Sequence, residues 1–270
     1  MITKQRHGPW ALLVGGSEGI GEALAETLGA AGLNLVLVAR KPEPLEATAA
    51  RIRADSAVEV RTLALDITDA DAIERIRAVT DALEIGLLIH NVAGSGGMGP
   101  FLDRRLDQSL NSIMVNCTRL VELTHHFGQP MRERGRGGIL VFGSMAGICG
   151  GADLAAYSGA KAFSKMLVES LWSELEPLGI DVLSIIINSA DTPSRRRANV
   201  TDSGGYPVAQ PRDVARMAME RIGDGPILVP PGDEGMLEWL NALPRRKPVS
   251  ELRDYLAKIT ADHISRRKAG

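Results

Sequence analysis

Trp10-Ala11-Leu12-Leu13-Val14-Gly15-Gly16-Ser17-Glu18-Gly19-Ile20-Gly21 decides the fold. The five leading residues read as a short buried strand. After the glycines, Glu22-Ala23-Leu24-Ala25-Glu26-Thr27-Leu28 has the apolar spacing of a helix. Glycines at such a junction let the backbone approach a pyrophosphate, and the helix N-terminus adds unpaired N–H groups and the positive end of a dipole. No Gly-Lys-Ser/Thr follows, which argues against a nucleoside triphosphate loop. The plain alternative is a turn that merely links strand to helix.

Outward from this turn the chain alternates. Further strands are expected at 34–39, 58–65, 87–91, 138–142, 181–187 and 227–229, and helices at 44–55, from 69 or 71 to 83, 106–127 and 155–177. Repeated βα units with apolar strands predict an α/β fold: one Rossmann-type, doubly wound parallel sheet of about seven strands with helices on both faces. Ligands of such sheets bind at the carboxyl ends of the strands. Gly15, Arg40, Asp66, Asn91 and Ser144 each follow a predicted strand, a regularity that favours a cofactor enzyme over a generic α/β domain. The chain reads as a single domain over 1–270, with an irregular stretch at 188–207 and a charged, amphipathic tail over 235–270, expected to be solvated or to contact a subunit.

Tyr157-Ser158-Gly159-Ala160-Lys161 places a phenol and an ammonium four residues apart on one helix face, and Ser144 stands thirteen residues earlier. A free phenol has a pKa near ~10, and a neighbouring cation lowers it. A tuned Tyr157 can then exchange a proton with an alcohol or carbonyl oxygen that the Ser144 hydroxyl holds. Alone, this spacing also fits a surface Tyr and Lys on an amphipathic helix.

Composition sets limits. At 270 residues, 44% hydrophobic and 24% charged, the chain resembles an ordinary globular protein that buries a sizeable core. A net charge of −2 gives no general reason to expect nucleic acid or an anionic membrane. The N-terminal residues lack an apolar targeting core, and no apolar run approaches the ~18 residues of a membrane span. Cys117 and Cys149 are too few and too far apart for a disulfide framework or zinc site, so free thiols in the cytoplasm are expected. His125 and His126 lack partners at metal-ligand spacing, and no metal is expected.

Gly15-x-x-x-Gly19-x-Gly21, Asn91-Val92-Ala93-Gly94, Asn116, Ser144, Tyr157 and Lys161 resemble, in order and spacing, the motif series of the short-chain dehydrogenase/reductase family, over roughly 8–230. His7-Gly8-Pro9-Trp10, the Ser17–Gly21 loop, Ser144-Met145-Ala146-Gly147-Ile148 and Asp191-Thr192-Pro193-Ser194 are similar to bacterial 7-beta-hydroxysteroid dehydrogenases within it. The resemblance implies hydride transfer between a nicotinamide and a secondary alcohol or ketone. Tyr157 is then the acid/base, Lys161 tunes it and holds the ribose, Ser144 positions the reacting oxygen, and Asn116 holds a water that relays protons. Cofactor contacts are expected from Gly15, Ser17, Glu18, Gly19, Ile20, Gly21, Arg40, Lys41, Asp66, the Ile67 backbone, Asn91 and Thr192, besides Tyr157 and Lys161. Asp66 is also suited to cap the helix that follows it. The stretch 188–207 is expected to cover a small hydrophobic, bulky ring substrate, with Met145, Ile148 and Leu154 lining the pocket opposite. A homodimer or homotetramer is implied. Reduction of 3-oxoacyl thioesters is the enzymatic alternative, and a non-catalytic NADP(H)-binding sensor or scaffold is the alternative of another class.

Two details bear on ligands. The usual Pro-Gly after the sixth strand is replaced by Ile187-Asn188. Arg195-Arg196-Arg197 is either a solvated charge run or a recognition site for an anionic tail. For the cofactor, an acid at the end of the second strand selects NAD, whereas this strand ends Val38-Ala39-Arg40-Lys41. Glu18 opposes that preference from the glycine loop, but it can turn toward solvent, whereas Arg40 at the strand end is directed toward the ribose. The expected cofactor is therefore NADP(H).

Overall fold

The computed structural model describes residues 1–92, 98–197 and 206–268, with 258–268 by backbone alone. Ala93 and Gly94 of the fourth-strand motif, and Gly204 and Gly205 of the 188–207 stretch, lie outside the described residues. In chain order the elements begin α1 (Lys4–His7), β1 (Trp10–Val14), α2 (Ile20–Ala30), β2 (Asn34–Ala39) and α3 (Pro42–Asp55). Next come β3 (Val60–Ala64), α4 (Ala72–Thr80), β4 (Ile85–His90), α5 (Leu106–Ile113), α6 (Arg119–Arg134), β5 (Gly137–Ser144) and α7 (Ala155–Leu175). The chain ends with β6 (Ile180–Ile187), α8 (Pro193–Arg197), α9 (Pro211–Arg221), β7 (Ile227–Leu228), α10 (Glu234–Asn241) and α11 (Arg246–Lys268).

The seven strands form one parallel sheet in the order β3-β2-β1-β4-β5-β6-β7. Strand order reverses beside β1, which lies between β2 and β4, and sheets of this topology bind ligands at the carboxyl ends of the strands beside such a reversal. Alternation along the strands splits the core in two. Ala11, Leu13, Leu35, Leu37 and Leu140 face one way, against α2, α3 and α9. Leu12, Val14, Val36, Leu88 and Val141 face the other, against α4, α6 and α7. All five residues of β1 and all six of β4 are buried, as strands covered on both faces require.

Two expectations need correction. The helical run expected over 106–127 is unbroken but carries a π-turn, Met114–Thr118, between α5 and α6, and it runs on to Arg134. Asn116 explains the π-turn locally, since its Nδ2 donates to the Ser112 carbonyl at 2.9 Å, one helical turn back, in competition with the backbone ladder. The tail is not a solvated extension either. Met236, Leu240 and Leu252 of α10 and α11 are buried against Met145, Ile148, Cys149 and Ile186. Spacing of four between positions 236 and 240 makes an apolar stripe that the turn after β5 receives. Arg245 fastens this junction by donating to the Ile148 carbonyl at 3.0 Å.

Candidate active site

The glycine turn is shaped by contacts that forbid side chains. Gly15 has φ +93°, donates to the Val38 carbonyl at 2.7 Å, and a Cβ there would stand 2.4 Å from the Asn91 carbonyl oxygen. At Gly21 a Cβ would stand 1.8 Å from the Gly15 carbonyl oxygen, because the first turn of α2 folds directly onto the loop. Asn91 clamps this arrangement, its Nδ2 donating to Gly15 at 2.9 Å. The first-turn N–H groups of α2, including those of Ile20 and Gly21, lie at the positive end of the helix and suit an anion. The cradle therefore fits a dinucleotide pyrophosphate. Thr192 abuts it, its Cγ2 lying 2.8 Å from where a Cβ on Gly19 would stand. Its Oγ1 accepts from the Arg195 N–H at the start of α8, at 3.2 Å.

Charges line the neighbouring strand ends. Arg40 leans toward Asp66 at 3.7 Å, while the other Asp66 oxygen accepts from the N–H and hydroxyl of Thr68 at 2.9 and 2.8 Å. Asp66 thus organises its own loop without capping the next helix, whose N-cap is Asp71, and it also faces the cation at the end of β2. Ile67 is buried, and its carbonyl accepts from Arg119 Nε at 2.8 Å. Arg119 also donates to the Asp69 carbonyl at 2.7 Å, pinning the Asp66 loop to α6. The sequence reading missed this residue, which no local pattern marks.

Glu18 does not turn to solvent. Arg197 donates to it twice, at 3.1 and 2.5 Å, and Lys41 contacts it at 3.4 Å. These cations, Arg197 foremost, hold its carboxyl below the usual range. Arg196 in turn makes a two-pronged contact with Asp191 at 3.0 and 2.8 Å. Arg196 and Arg197 are thus engaged within the protein, an outcome neither reading of the run anticipated. The Ile187-Asn188 departure has a structural sequel: Ala190 bridges Ala209, with Asp191 donating to Ala209 and Ala209 to Ser189.

Ser144 ends β5, Tyr157 and Lys161 lie in the first two turns of α7, and Asn116 occupies the π-turn packed against α7. The Lys161 Nζ lies 5.9 Å from the Tyr157 ring centroid. Lys161 is fully buried and donates to the Phe142 carbonyl at 2.8 Å. Burial pulls its pKa down to about 8. The Tyr157 phenol departs from expectation: burial pushes it above its usual value, outweighing the lowering by the facing Ser144 hydroxyl. The ammonium is turned to a backbone carbonyl, which leaves burial in control of the phenol. Met145 and Ile148, expected to line a pocket, are buried beneath α10 and α11 instead. His126 pairs with Asp81 and His125 with Gln129, and no group of three metal-ligating side chains occurs among the described residues. Both cysteines are free thiols.

The model of the short chain dehydrogenase family matches residues 9–202. A very-long-chain 3-oxoacyl-CoA reductase of Aspergillus fumigatus is 34% identical over 223 residues, 80% of this chain. The chain spans 62% of the length of that relative. A 7beta-hydroxysteroid dehydrogenase of Clostridium sardiniense is 30% identical over 226 residues, covering 83% of this chain and 85% of the relative. Among solved structures, a short-chain dehydrogenase from Sphingobium yanoikuyae in complex with NADPH superposes with a TM-score of 0.75 at 31% identity, covering 83% of this chain and 88% of that one.

Proposed function

The chain belongs to the short-chain dehydrogenase/reductase family, and from that premise we propose that it interconverts a secondary alcohol and a ketone with NADP(H), on a bulky hydrophobic substrate. What carries the reading is the convergence of Ser144, Tyr157 and Lys161 at the carboxyl edge of the sheet, with only β4 between β5 and the strand that leads into the glycine cradle. The bound nicotinamide supplies or accepts the hydride. In reduction, the Tyr157 hydroxyl donates its proton to the carbonyl oxygen, and the Ser144 hydroxyl donates a hydrogen bond to the same oxygen. Lys161 stabilises the phenolate left behind and holds the ribose, while Asn116 supports proton return. A raised phenol pKa suits this direction, because Tyr157 waits protonated. A sensor or scaffold has no use for an ammonium buried at such cost.

The 2′-phosphate falls to Arg40. Its contact with Asp66 is exposed and worth ~0–1 kcal/mol, whereas a charge-assisted phosphate bond is worth ~1.5–3 kcal/mol. Lys41 contributes less, since Glu18 already holds it. The substrate side is assigned to the stretch 188–207, of which 198–205 lie outside the described residues, and the buried apolar residues of α10 and α11 against the turn after β5 support an apolar site. The 30% identity with the 7beta-hydroxysteroid dehydrogenase favours ring ketones. The 34% identity with the fungal reductase favours the second reading, 3-oxoacyl thioesters. Exposed Leu106, Leu110, Ile113, Phe163 and Met166 on α5 and α7 support self-association as a homodimer or homotetramer. No helix among the described residues is long and apolar enough to cross a membrane, which accords with a cytoplasmic enzyme.

A panel of steroid, terpene and aromatic ketones beside 3-oxoacyl-CoA thioesters, followed through NADPH absorbance, tests both readings. Turnover of free ring ketones above thioesters is expected. Turnover of thioesters alone installs the second reading, and oxidation of NADPH by neither class refutes both.

A further inference from the structure

Arg197 closes α8 and meets Glu18 of the glycine turn from 179 residues away, donating to it at 3.1 and 2.5 Å. A braced segment delivers it there. Ala190 bridges Ala209 at one end, and further along Thr192 abuts Gly19 and accepts from the Arg195 N–H at 3.2 Å. Arg196 returns to Asp191 within the same segment, and Arg197 reaches across to the turn. Both members of the Glu18–Arg197 pair are partly exposed, so the pair adds little to stability.

Its place gives it another consequence. Lys41, the residue after Arg40 at the end of β2, also contacts Glu18, at 3.4 Å. Glu18 therefore belongs to the corner assigned to the adenosine 2′-phosphate, a group of about two negative charges at neutral pH. An acid at the end of the second strand selects against that phosphate. Here the acid comes from the turn instead of the strand. Among the described residues, two carboxylates of this corner, Glu18 and Asp66, face three cations, Arg40, Lys41 and Arg197. Arg197 supplies the whole excess of positive charge, and its two-pronged contact makes it the principal counter-ion of Glu18.

We propose that Arg197 is a specificity-determining residue for the cofactor: it neutralises Glu18 and so admits the 2′-phosphate that this carboxylate would otherwise repel. The proposal rests on the NADP(H) reading. It gives one arginine of the 195–197 run a purpose that is neither solvation nor recognition of a substrate tail. Arg40 attracts the phosphate directly, whereas Arg197 acts through Glu18.

Equilibrium titration of the full chain with NADPH and with NADH at low salt tests it. Arg197→Met should weaken NADPH binding about fivefold to tenfold and change NADH binding less than about twofold. Arg197→Lys keeps the charge and should retain most of the preference. Adding Glu18→Gln to Arg197→Met should return NADPH affinity to within about twofold of wild type, because the charge that needed neutralising has gone. Raised salt should shrink the Arg197→Met effect. Equal weakening of both cofactors overturns the proposal and reduces Arg197 to a strap on α8. A loss that persists in the double variant also overturns it, since Arg197 would then contact the phosphate itself. A wild-type preference that Arg197→Met leaves intact refutes the proposal alone, whereas equal wild-type affinities refute the NADP(H) reading and the proposal with it.

Discussion

Lys161→Met should abolish turnover while leaving the fold at least as stable at pH 7. The ammonium titrates at about 8 in the folded protein against 10.5 in the open chain. At about 1.36 kcal/mol per unit, its burial costs roughly 3 kcal/mol. Below pH 8 both states hold the proton and the whole cost is carried. Between pH 8 and 10.5 the unfolded chain binds more protons, so stability climbs with pH, and above 10.5 the gain is complete. Methionine matches the length without the charge. It leaves the Phe142 carbonyl without its donor, which returns ~1–3 kcal/mol. The net at pH 7 lies between no change and about 2 kcal/mol of added stability. Urea unfolding at pH 7 and pH 10 reads both quantities: the wild-type midpoint should rise with pH relative to that of the variant. A variant more than about 1 kcal/mol less stable at pH 7, with the same pH gain as wild type, would refute the reasoning.

Other perturbations reach different parts of the site. Arg40→Ala should weaken NADPH binding tenfold to a hundredfold, from ~1.5–3 kcal/mol, and barely change NADH binding; equal losses in fluorescence titrations contradict the phosphate assignment. Gly21→Ala forces a Cβ onto the Gly15 carbonyl and should cost at least ~10-fold in dinucleotide affinity, whereas Gly128→Ala, with open space at its Cβ, should cost nothing. For Asp181, burial raises the carboxyl, but His7 and Arg6 outweigh it, so its pKa lies below 3.8 in the fold. That contribution is full above 3.8 and is lost as pH falls through the lower folded value. Asp181→Asn should therefore flatten the fall in melting temperature between pH 5 and 3, and a fall parallel to wild type would contradict the pairing.

Strand-end chemistry made the fold legible. The β1 turn announced itself through Gly15, Gly19 and Gly21, whose need for close approach is written in the residue type. Ser144, Tyr157 and Lys161 were legible because chain spacing on a strand–turn–helix translates directly into proximity. What escaped depends on pairings across long separations. Glu18 and Arg197 are 179 residues apart and meet because α8 folds back over the glycine turn. Arg119 and the Ile67 carbonyl meet through the β3–α4 loop, and no local pattern announces that contact. The π-turn was hidden because Ile113, Met114 and Val115 continue a helical pattern, and only the Asn116 side chain diverts the ladder. The direction of the Tyr157 shift was misjudged because the i, i+4 rule brings Lys161 near the ring without fixing where its Nζ points.

Tyr157→Phe tests the account most directly. The substitution keeps the ring and removes the one proton the chemistry needs. Under saturating NADPH and the best ketone of the panel, single-turnover reduction should fall ~100-fold or more, while the NADPH dissociation constant stays within about twofold of wild type. Reduction at near wild-type rate would contradict the assignment of Tyr157 as the proton donor.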